Sequence, residues 1–142
     1  MLEWSDALET VDWNELSALY LAAPLGNKKP SDLETVFTNS MFRCFVYDSG
    51  RLVAAGRALA DGVDCSYLAD IAVHPDYQSQ GLGKEIVRRL CALSRNHRKI
   101  ILYAAPGKDG FYLKLGFRRM LTAMAIFENQ DQAVERGILA GD

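Results

Sequence analysis

The segment from Val73 to Lys84 constrains the fold more than any other part of the sequence. It joins the end of a predicted strand to the start of a predicted amphipathic helix, and it contains Gly81 and Gly83. The first turn of a helix has unpaired backbone N–H groups and a partial positive charge, so it can bind phosphate. Glycine lets a backbone approach an anion closely, and Lys84 adds a positive charge. The segment therefore predicts a phosphate-binding loop; the alternative is that the two glycines merely ease helix packing.

The spacing of apolar residues predicts a mixed α/β fold. Alternation and turn residues predict strands at 43–47, 52–59, 64–73, 99–104 and 117–127. Helical spacing and capping residues predict helices at 12–22, from Pro30, at 81–95, at 108–115 and from Asn129. The first three strands are joined by hairpin turns, whereas the later strands alternate with helices. This order indicates a mixed, mostly antiparallel central sheet with helices on both faces.

The overall composition is that of an ordinary globular protein, and we expect one domain over residues 1–142. The chain is 49% apolar and 24% charged, and no stretch approaches the roughly 18 apolar residues of a membrane span. Its N-terminus is acidic, unlike a signal peptide. The cysteines lack metal-ligand spacing and are expected to be reduced core residues: Cys44, Cys65 and Cys91. We therefore expect a cytoplasmic protein with no metal site and no membrane partner.

The charge of the chain is small overall and unevenly distributed. A net charge of −2 argues against general nucleic-acid binding. Acidic residues outnumber basic ones up to Gly83, whereas basic residues dominate from Lys84 to Arg119. An acidic half and a basic half suit a protein that holds an anionic cofactor and a cationic acceptor. Two solvated faces of opposite sign would give the same pattern.

The motifs that are absent and those that are present together narrow the class of phosphate-binding site. The loop contains no Gly-Lys-Ser/Thr, which excludes a nucleotide P-loop, and no Gly-x-Gly-x-x-Gly, which disfavours a dinucleotide fold. Gln78-x-x-Gly81-x-Gly83 instead resembles the pyrophosphate loop of the GNAT acetyltransferases. Downstream, the segment from Phe111 to Phe117 resembles the Phe-Tyr-x-x-x-Gly-Phe segment of the same family. The resemblance extends over residues 52–127.

The resemblance implies acetyl-coenzyme A as cosubstrate, held by a splayed pair of strands at 64–73 and 99–104. The pantetheine arm would bond main-chain groups of the first strand, and backbone N–H groups of the loop would hold the pyrophosphate. The implied cofactor-binding residues are Ile71, Ala72 and Val73 in the strand, and Gln78, Ser79, Gln80, Gly81, Leu82, Gly83 and Lys84 in the loop. The N–H group of Val73 is also the candidate for stabilising an oxyanion.

The resemblance further implies catalytic roles for two residues. Tyr112 matches the tyrosine that protonates the coenzyme A sulfur, although it could be only a core aromatic. Asp70 aligns with an acid that binds a cationic amine or takes its proton, although it could be only a structural acid at a sheet edge. Tyr67 stands where some members carry the Glu or His that acts as general base, so the general base is left open among Asp70, Tyr67 and ordered water.

The resemblance implies an N-acetyltransferase that moves an acetyl group to a primary amine by direct transfer in a ternary complex. The alternative is a non-catalytic coenzyme A-binding sensor or interaction module of the same fold. The N-terminal helices would form the acceptor pocket by analogy, with a lining of Trp13, Tyr20 and Phe37 unless these side chains serve only the core. Family members are often dimers, so a homodimer is a candidate assembly. The sequence does not identify the acceptor.

Overall fold

A computed structural model describes residues 1–142, which form two compact units, Met1–Leu102 and Tyr103–Asp142. The expectation of one domain over the whole chain stays a prediction. No helix in either unit has both the length and the apolar character needed to cross a membrane.

The first unit is built on a five-stranded sheet in which the strands lie in chain order, β1 to β5. The strands are β1 (Leu2–Ser5), β2 (Phe42–Asp48), β3 (Arg51–Ala60), β4 (Cys65–Val73) and β5 (Lys99–Ile101). Neighbouring strands are antiparallel except β4 and β5, which are parallel. The three helices of this unit are α1 (Trp13–Ala22), α2 (Pro30–Thr38) and α3 (Leu82–Leu93). The predicted mixed, mostly antiparallel sheet is confirmed.

The hairpin between β2 and β3 shows why the sequence folds this way locally. Ser49 and Gly50 are the only residues between the two strands, and both have a positive φ, of 49° and 87°. Two-residue turns of this kind match the right-handed twist of paired strands, and glycine adopts the required backbone conformation without steric cost. The turn therefore fixes the register in which β2 and β3 pair.

One face of the sheet packs against α1 and α2 in the hydrophobic core. Tyr20 and Phe37 are fully buried there, and Trp13 packs against the edge of the same cluster. The side chains of Phe45, Ala55 and Ala72 form the sheet side of this core. Tyr20 and Phe37 are therefore core residues, and Trp13 is a partly buried residue packed against them.

The other face of the sheet packs against α3. Gly56 follows Ala55 in β3, so it faces the opposite side of the sheet. A Cβ atom on Gly56 would lie 2.7 Å from Ile86 Cγ2 and 3.4 Å from Leu90 Cδ1. The missing side chain therefore lets α3 approach the sheet closely, and helices cover both faces as predicted.

A buried pair of hydroxyl groups also joins α3 to the sheet. The Oγ atoms of Ser66 in β4 and Ser94 at the end of α3 are 2.8 Å apart. Ser94 Oγ donates to the carbonyl of Leu90, 2.7 Å away. Because its proton is used in that bond, the hydroxyl of Ser66 donates to Ser94. The pair fixes the C-terminal end of α3 against β4.

The second unit contains two short helices, α4 (Asp109–Leu113) and α5 (Gln130–Glu135), and no strand. The strand predicted at 117–127 is therefore wrong. Apolar residues form a strand only beside another strand that takes up their backbone hydrogen bonds, and this unit supplies none. The predicted strand at 99–104 ends early, at Ile101, and the short edge strand β1 was not predicted.

We expect Gly56→Ala to lower the free energy of unfolding by about 1–3 kcal/mol, because the new methyl group overpacks the contact with Ile86. Denaturant unfolding measures this change. The matched control is Gly110→Ala in α4, where a Cβ atom meets nothing within 4 Å and alanine favours the helix. Equal stability of Gly56→Ala and the wild type would contradict the tight contact.

Candidate active site

The second half of β4 has a free edge. β5 pairs only with the first three residues of β4, from Cys65 to Tyr67. The remainder, Leu68–Val73, is paired with β3 on one side and with no strand on the other. The predicted divergence of these two strands is thus present in the first unit, and it leaves backbone groups of β4 available to a ligand.

The end of this edge is formed by the backbone of Val73. His74 N–H donates to the carbonyl of Val53 at 2.8 Å, and Val73 lies opposite Ala54. In an antiparallel ladder this pattern makes Val73 and Ala54 a non-hydrogen-bonded pair, so the N–H and C=O groups of Val73 point away from β3. The N–H group of Val73 therefore faces the free edge. Its carbonyl accepts a bond from the side-chain amide of Gln78 at 3.2 Å.

Two neighbouring residues that were predicted to bind the cofactor are oriented differently. Ala72 forms the hydrogen-bonded pair with Ala55, and its side chain is buried in the core. It therefore offers the free edge neither backbone nor side-chain groups, and a cofactor contact for Ala72 stays a prediction. Ile71 lies at a register shift opposite Gly56, with its side chain toward α3. A main-chain bond from Ile71 to the cofactor stays a prediction.

Asp70 occupies the register shift in an uncommon backbone conformation, with φ of +56°. Its carboxylate accepts a 2.8 Å bond from Arg57 Nε and lies 3.6 Å from Lys28 Nζ. Arg57 also contacts the hydroxyl of Ser40 at 3.3 Å. Asp70 is thus a half-buried carboxylate paired with two cations.

Tyr20 completes this cluster from the core side. Its hydroxyl donates to the backbone carbonyl of Asp70 at 2.6 Å, and Lys28 Nζ lies 5.7 Å from the centre of its ring. Burial, followed by the charge of Asp70, raises the pKa of Tyr20 well above its usual value. The phenol therefore stays protonated. The carboxylate of Asp70 and the aromatic ring of Tyr20 together contact one ammonium group, that of Lys28.

The predicted phosphate loop ends at the N-terminus of α3. Gly81 is the N-cap residue, with φ of +80° and no side-chain cap, and Glu85 N–H makes the first helical bond to its carbonyl. The N–H groups of residues 79–84 have no partner, whereas that of Gln78 already donates to the carbonyl of Pro75. A Cβ atom on Gly81 would meet nothing, so this glycine serves the backbone conformation and not the space around it. The loop thus offers a row of free donors beside the exposed Lys84.

The residues just before the loop are tethered to the β2–β3 hairpin. Tyr77 donates to the carboxylate of Asp48 at 2.5 Å, and Arg51 lies 3.6 Å from Asp76. His74 accepts the backbone N–H of Asp76 and contacts Arg51 at 3.2 Å. These contacts place the turn that leads from β4 into the loop, and they engage both ring nitrogens of His74.

Tyr112, the predicted acid, belongs to the second unit. Its ring packs edge to face against Phe111 and Phe117, with ring centres 5.0 and 5.8 Å away. Burial raises the pKa of the phenol above its usual value, so it is protonated at neutral pH. No hydrogen bond within the structure uses its hydroxyl. The group is therefore chemically able to donate a proton.

Two of the three cysteines, Cys44 and Cys91, offer no alternative chemistry. Cys44 is buried, and this burial raises the pKa of its thiol to about 11. Burial also raises the pKa of Cys91. A protonated thiol is a poor nucleophile and a poor metal ligand. No group of three or more His, Cys, Asp or Glu side chains is arranged to hold a metal ion.

Sequence reasoning missed Arg57 and Lys28, the two cations that hold Asp70. The signal for Arg57 was present, since it is the only charged residue between Leu52 and Leu59 in an apolar strand. A charge in such a strand requires a partner. Nothing in the sequence distinguished Lys28 from Lys29 beside it.

The family model for the acetyltransferase (GNAT) family matches residues 5–117 of this chain. The chain belongs to the GNAT family. Its fold also matches solved structures. A protein of unknown function from meticillin-resistant Staphylococcus aureus superposes with a TM-score of 0.81 at 25% identity, covering 91% of this chain and 99% of the other. An acetyltransferase from Trypanosoma brucei superposes with a TM-score of 0.71 at 26% identity, covering 89% and 99%.

The curated relatives of this GNAT protein are acetyltransferases. Serotonin N-acetyltransferase 2, chloroplastic, from Oryza sativa subsp. japonica is 38% identical over 59% of this chain and 44% of its own length. GCN5-related N-acetyltransferase 1, chloroplastic, from Arabidopsis thaliana is 30% identical over 77% of this chain and 57% of its own length. The chain thus spans about half the length of the curated relatives it matches.

We expect Tyr77→Phe to raise the pKa of Asp48, because the hydrogen bond from Tyr77 is the main cause that lowers it. A carboxyl group whose pKa is lower in the folded than in the unfolded protein stabilises the fold at pH values above its unfolded pKa. This stabilisation is lost as the pH falls through the folded pKa. The variant should therefore lose this contribution at a higher pH than the wild type.

A carboxyl NMR titration measures the change. Asp61 is the internal control, since backbone N–H groups, that of Asp64 foremost, lower its pKa to about 2 and do not depend on Tyr77. If Asp48 titrates identically in both proteins, the tether between the hairpin and the loop does not form in solution.

Proposed function

We propose that this GNAT protein transfers an acetyl group from acetyl-coenzyme A to a primary amine, directly and in a ternary complex. The observation that carries the proposal is the free edge of β4, Leu68–Val73, followed a few residues later by the uncapped N-terminus of α3. A strand edge can bond amide groups, and a helix N-terminus can bind phosphate. The two occur in the order that a pantetheine arm and its pyrophosphate require.

The residues present fit this cofactor. The N–H groups of residues 79–84 are free, and Gly81 holds the backbone in the conformation that exposes them. Val73 N–H would bond the arm or stabilise negative charge on the acetyl oxygen. Lys84 would add a positive charge beside the pyrophosphate. Acetyl-coenzyme A supplies an acetyl group activated as a thioester.

We assign the proton for the leaving thiolate to Tyr112 Oη. Its raised pKa keeps the proton in place at neutral pH, and its hydroxyl has no competing partner in the structure. The assignment rests on the resemblance of Phe111-Tyr112 to the family segment and on this chemistry.

We place the cationic acceptor at Asp70, where Lys28 now lies. The carboxylate of Asp70 and the ring of Tyr20 form a site for one ammonium group, and the Lys28 side chain is itself a primary alkylammonium. An acceptor of the same chemistry would replace Lys28 without changing the charge of the cluster. In this arrangement Asp70 binds the amine. Because Arg57 holds its other oxygen, ordered water takes the proton.

A coenzyme A-binding sensor without turnover is the second candidate. It is favoured by the ion pairs of Asp70, which leave that carboxylate without the free oxygen expected of a general base. The cofactor contacts would be the same in both cases. The two functions therefore differ in turnover and not in binding.

Cofactor binding is tested by thermal unfolding with and without acetyl-coenzyme A. A ligand at about 100 times its Kd adds roughly 2.7 kcal/mol to the folded state. We expect Lys84→Glu to reduce the shift in unfolding temperature that acetyl-coenzyme A causes. Arg95→Glu, a charge reversal just beyond the C-terminal end of α3, should retain that shift. No shift for the wild-type protein would contradict the cofactor site.

Turnover is tested by thiol release over a panel of amines that includes serotonin and a lysine-containing peptide. Tyr112→Phe should lower the rate by about 10²-fold and leave the acetyl-coenzyme A shift unchanged. A wild-type protein that binds acetyl-coenzyme A but releases no thiol with any amine would instead support the sensor.

We expect Lys28→Met to lower the KM for the best amine of that panel by about two- to fivefold, because a partly exposed ion pair competes only weakly. Asp70→Asn should raise the same KM. The KM for acetyl-coenzyme A should change in neither variant. Lys29→Met is the matched control, since Lys29 is exposed and has no ion pair. An unchanged or higher amine KM in Lys28→Met would remove Lys28 from the acceptor site.

The remaining expectations also stay proposals. A cytoplasmic location is supported by the three unpaired cysteines, whereas two of the relatives named above are chloroplastic. Nucleic acid is not expected as a partner because of the net charge of −2.

A further inference from the structure

The Lys28 side chain lies inside the site that we assign to the acceptor amine. Its Nζ atom is 3.6 Å from a carboxylate oxygen of Asp70 and 5.7 Å from the centre of the Tyr20 ring. These are the two groups that would bind the ammonium of an acceptor. Only 30% of the Lys28 side chain is exposed. The chain thus carries a primary amine of its own at the place where a substrate amine would bind.

The backbone at Lys28 is held by both N-terminal helices. Ser17 Oγ in α1 donates to the carbonyl of Lys28 at 2.5 Å. The next residue, Lys29, is the N-cap of α2, and its carbonyl accepts the first helical bond, from Leu33 N–H at 3.0 Å. Because α1 and α2 both hold the main chain here, a fixed part of the fold presents the Lys28 amine to Asp70.

The neighbouring Lys29 provides an internal comparison. Its side chain is exposed, whereas that of Lys28 is partly buried at Asp70. The two residues carry the same functional group and differ in what surrounds it. A thioester that reacts with lysines from solution favours the exposed amine. Transfer from a bound thioester instead favours the amine that the site positions.

We propose that Lys28 is a self-acetylation site, which accepts the acetyl group of the acetyl-coenzyme A bound to its own chain. The inference rests on the proposed function, which places the acetyl group beside the free edge of β4 and the acceptor at Asp70. Asp70 belongs to that stretch of β4, Leu68–Val73. The amine and the thioester would therefore be held by the same strand, and positioning of this kind replaces a bimolecular step by an intramolecular one.

The transfer balances without a further reagent. The Lys28 ammonium releases one proton to water, and the free amine attacks the carbonyl carbon of the thioester. The C–N bond forms and the C–S bond breaks, while the nitrogen loses a second proton and coenzyme A leaves as the thiol. The products are an amide at Nζ, free coenzyme A and one proton in solution.

Acetylation of Lys28 would also change the acceptor site. The amide carries no positive charge, so it forms no ion pair, and Arg57 is then the one charged partner of Asp70. The carboxylate oxygen that Lys28 contacts becomes available to a substrate ammonium. The first acetyl group therefore removes the competing amine, and later acetyl groups go to the substrate.

The test is the mass of the intact chain after incubation with saturating acetyl-coenzyme A and no amine, starting from protein that has the mass of the unmodified chain. We expect one added acetyl group, which peptide mapping locates at Lys28 and which forms at least about tenfold faster there than at Lys29. Lys28→Arg keeps a positive charge at Asp70 but has no acetylatable amine, so it should abolish the modification. The matched control, Lys29→Arg, should retain it.

Dilution of the protein distinguishes transfer within one chain from transfer between copies. The rate per chain should not change on dilution, and a rate that falls would overturn the proposal. Equal acetylation of Lys28 and Lys29 would also overturn it, since this result indicates reaction from solution. A protein that acetylates amines of the panel while Lys28 stays unmodified would overturn this inference and leave the proposed function in place. Absence of the thermal shift with acetyl-coenzyme A would overturn both.

Discussion

The backbone conformation of Asp70 is the constraint on which the site depends. A left-handed φ costs an ordinary residue roughly 1–2 kcal/mol, so it persists only where surrounding contacts enforce it. Here Tyr20 bonds the carbonyl from the core side, and Arg57 bonds the carboxylate from β3. The resulting register shift separates two stretches of β4. The first pairs with β5, and the second ends at Val73 with a free edge.

The close approach of α3 to the sheet places the second half of the site. Gly56 provides the space, and Ile86 and Leu90 fill it. Because α3 is held against the sheet, the position of its N-terminus relative to the end of β4 is fixed, and the N–H groups of residues 79–84 have no partner there. The packing on this face of the sheet and the position of the free N–H groups before and at the start of α3 thus depend on the same helix–sheet contact.

The sequence predicted the parts of this protein that depend on local rules. Periodicity and turn residues located β2, β3, β4 and α3, and two motifs pointed to the family. The errors arose where nonlocal contacts decide. The residues at 117–127 have strand character, but their own unit offers no strand to pair with them. Nonlocal pairing likewise decides that Ala72 bonds β3 and packs in the core, while the next residue, Val73, faces the free edge. Arg57 and Lys28 meet Asp70 only after three distant segments have come together.

The hydrogen-bonded serine pair between β4 and α3 constrains amino-acid substitution differently at its two positions. Ser94 uses its proton on the carbonyl of Leu90 and receives the proton of Ser66. Loss of the Ser66 hydroxyl leaves every buried donor satisfied, whereas loss of the Ser94 hydroxyl leaves Ser66 with a buried proton and no acceptor. If both serines are replaced by alanine one after the other, replacing Ser66 first therefore costs little stability. Replacing Ser94 first leaves the buried hydroxyl of Ser66 without an acceptor. Related chains with serine at 66 should carry a hydroxyl or another acceptor at 94, while the reverse need not hold.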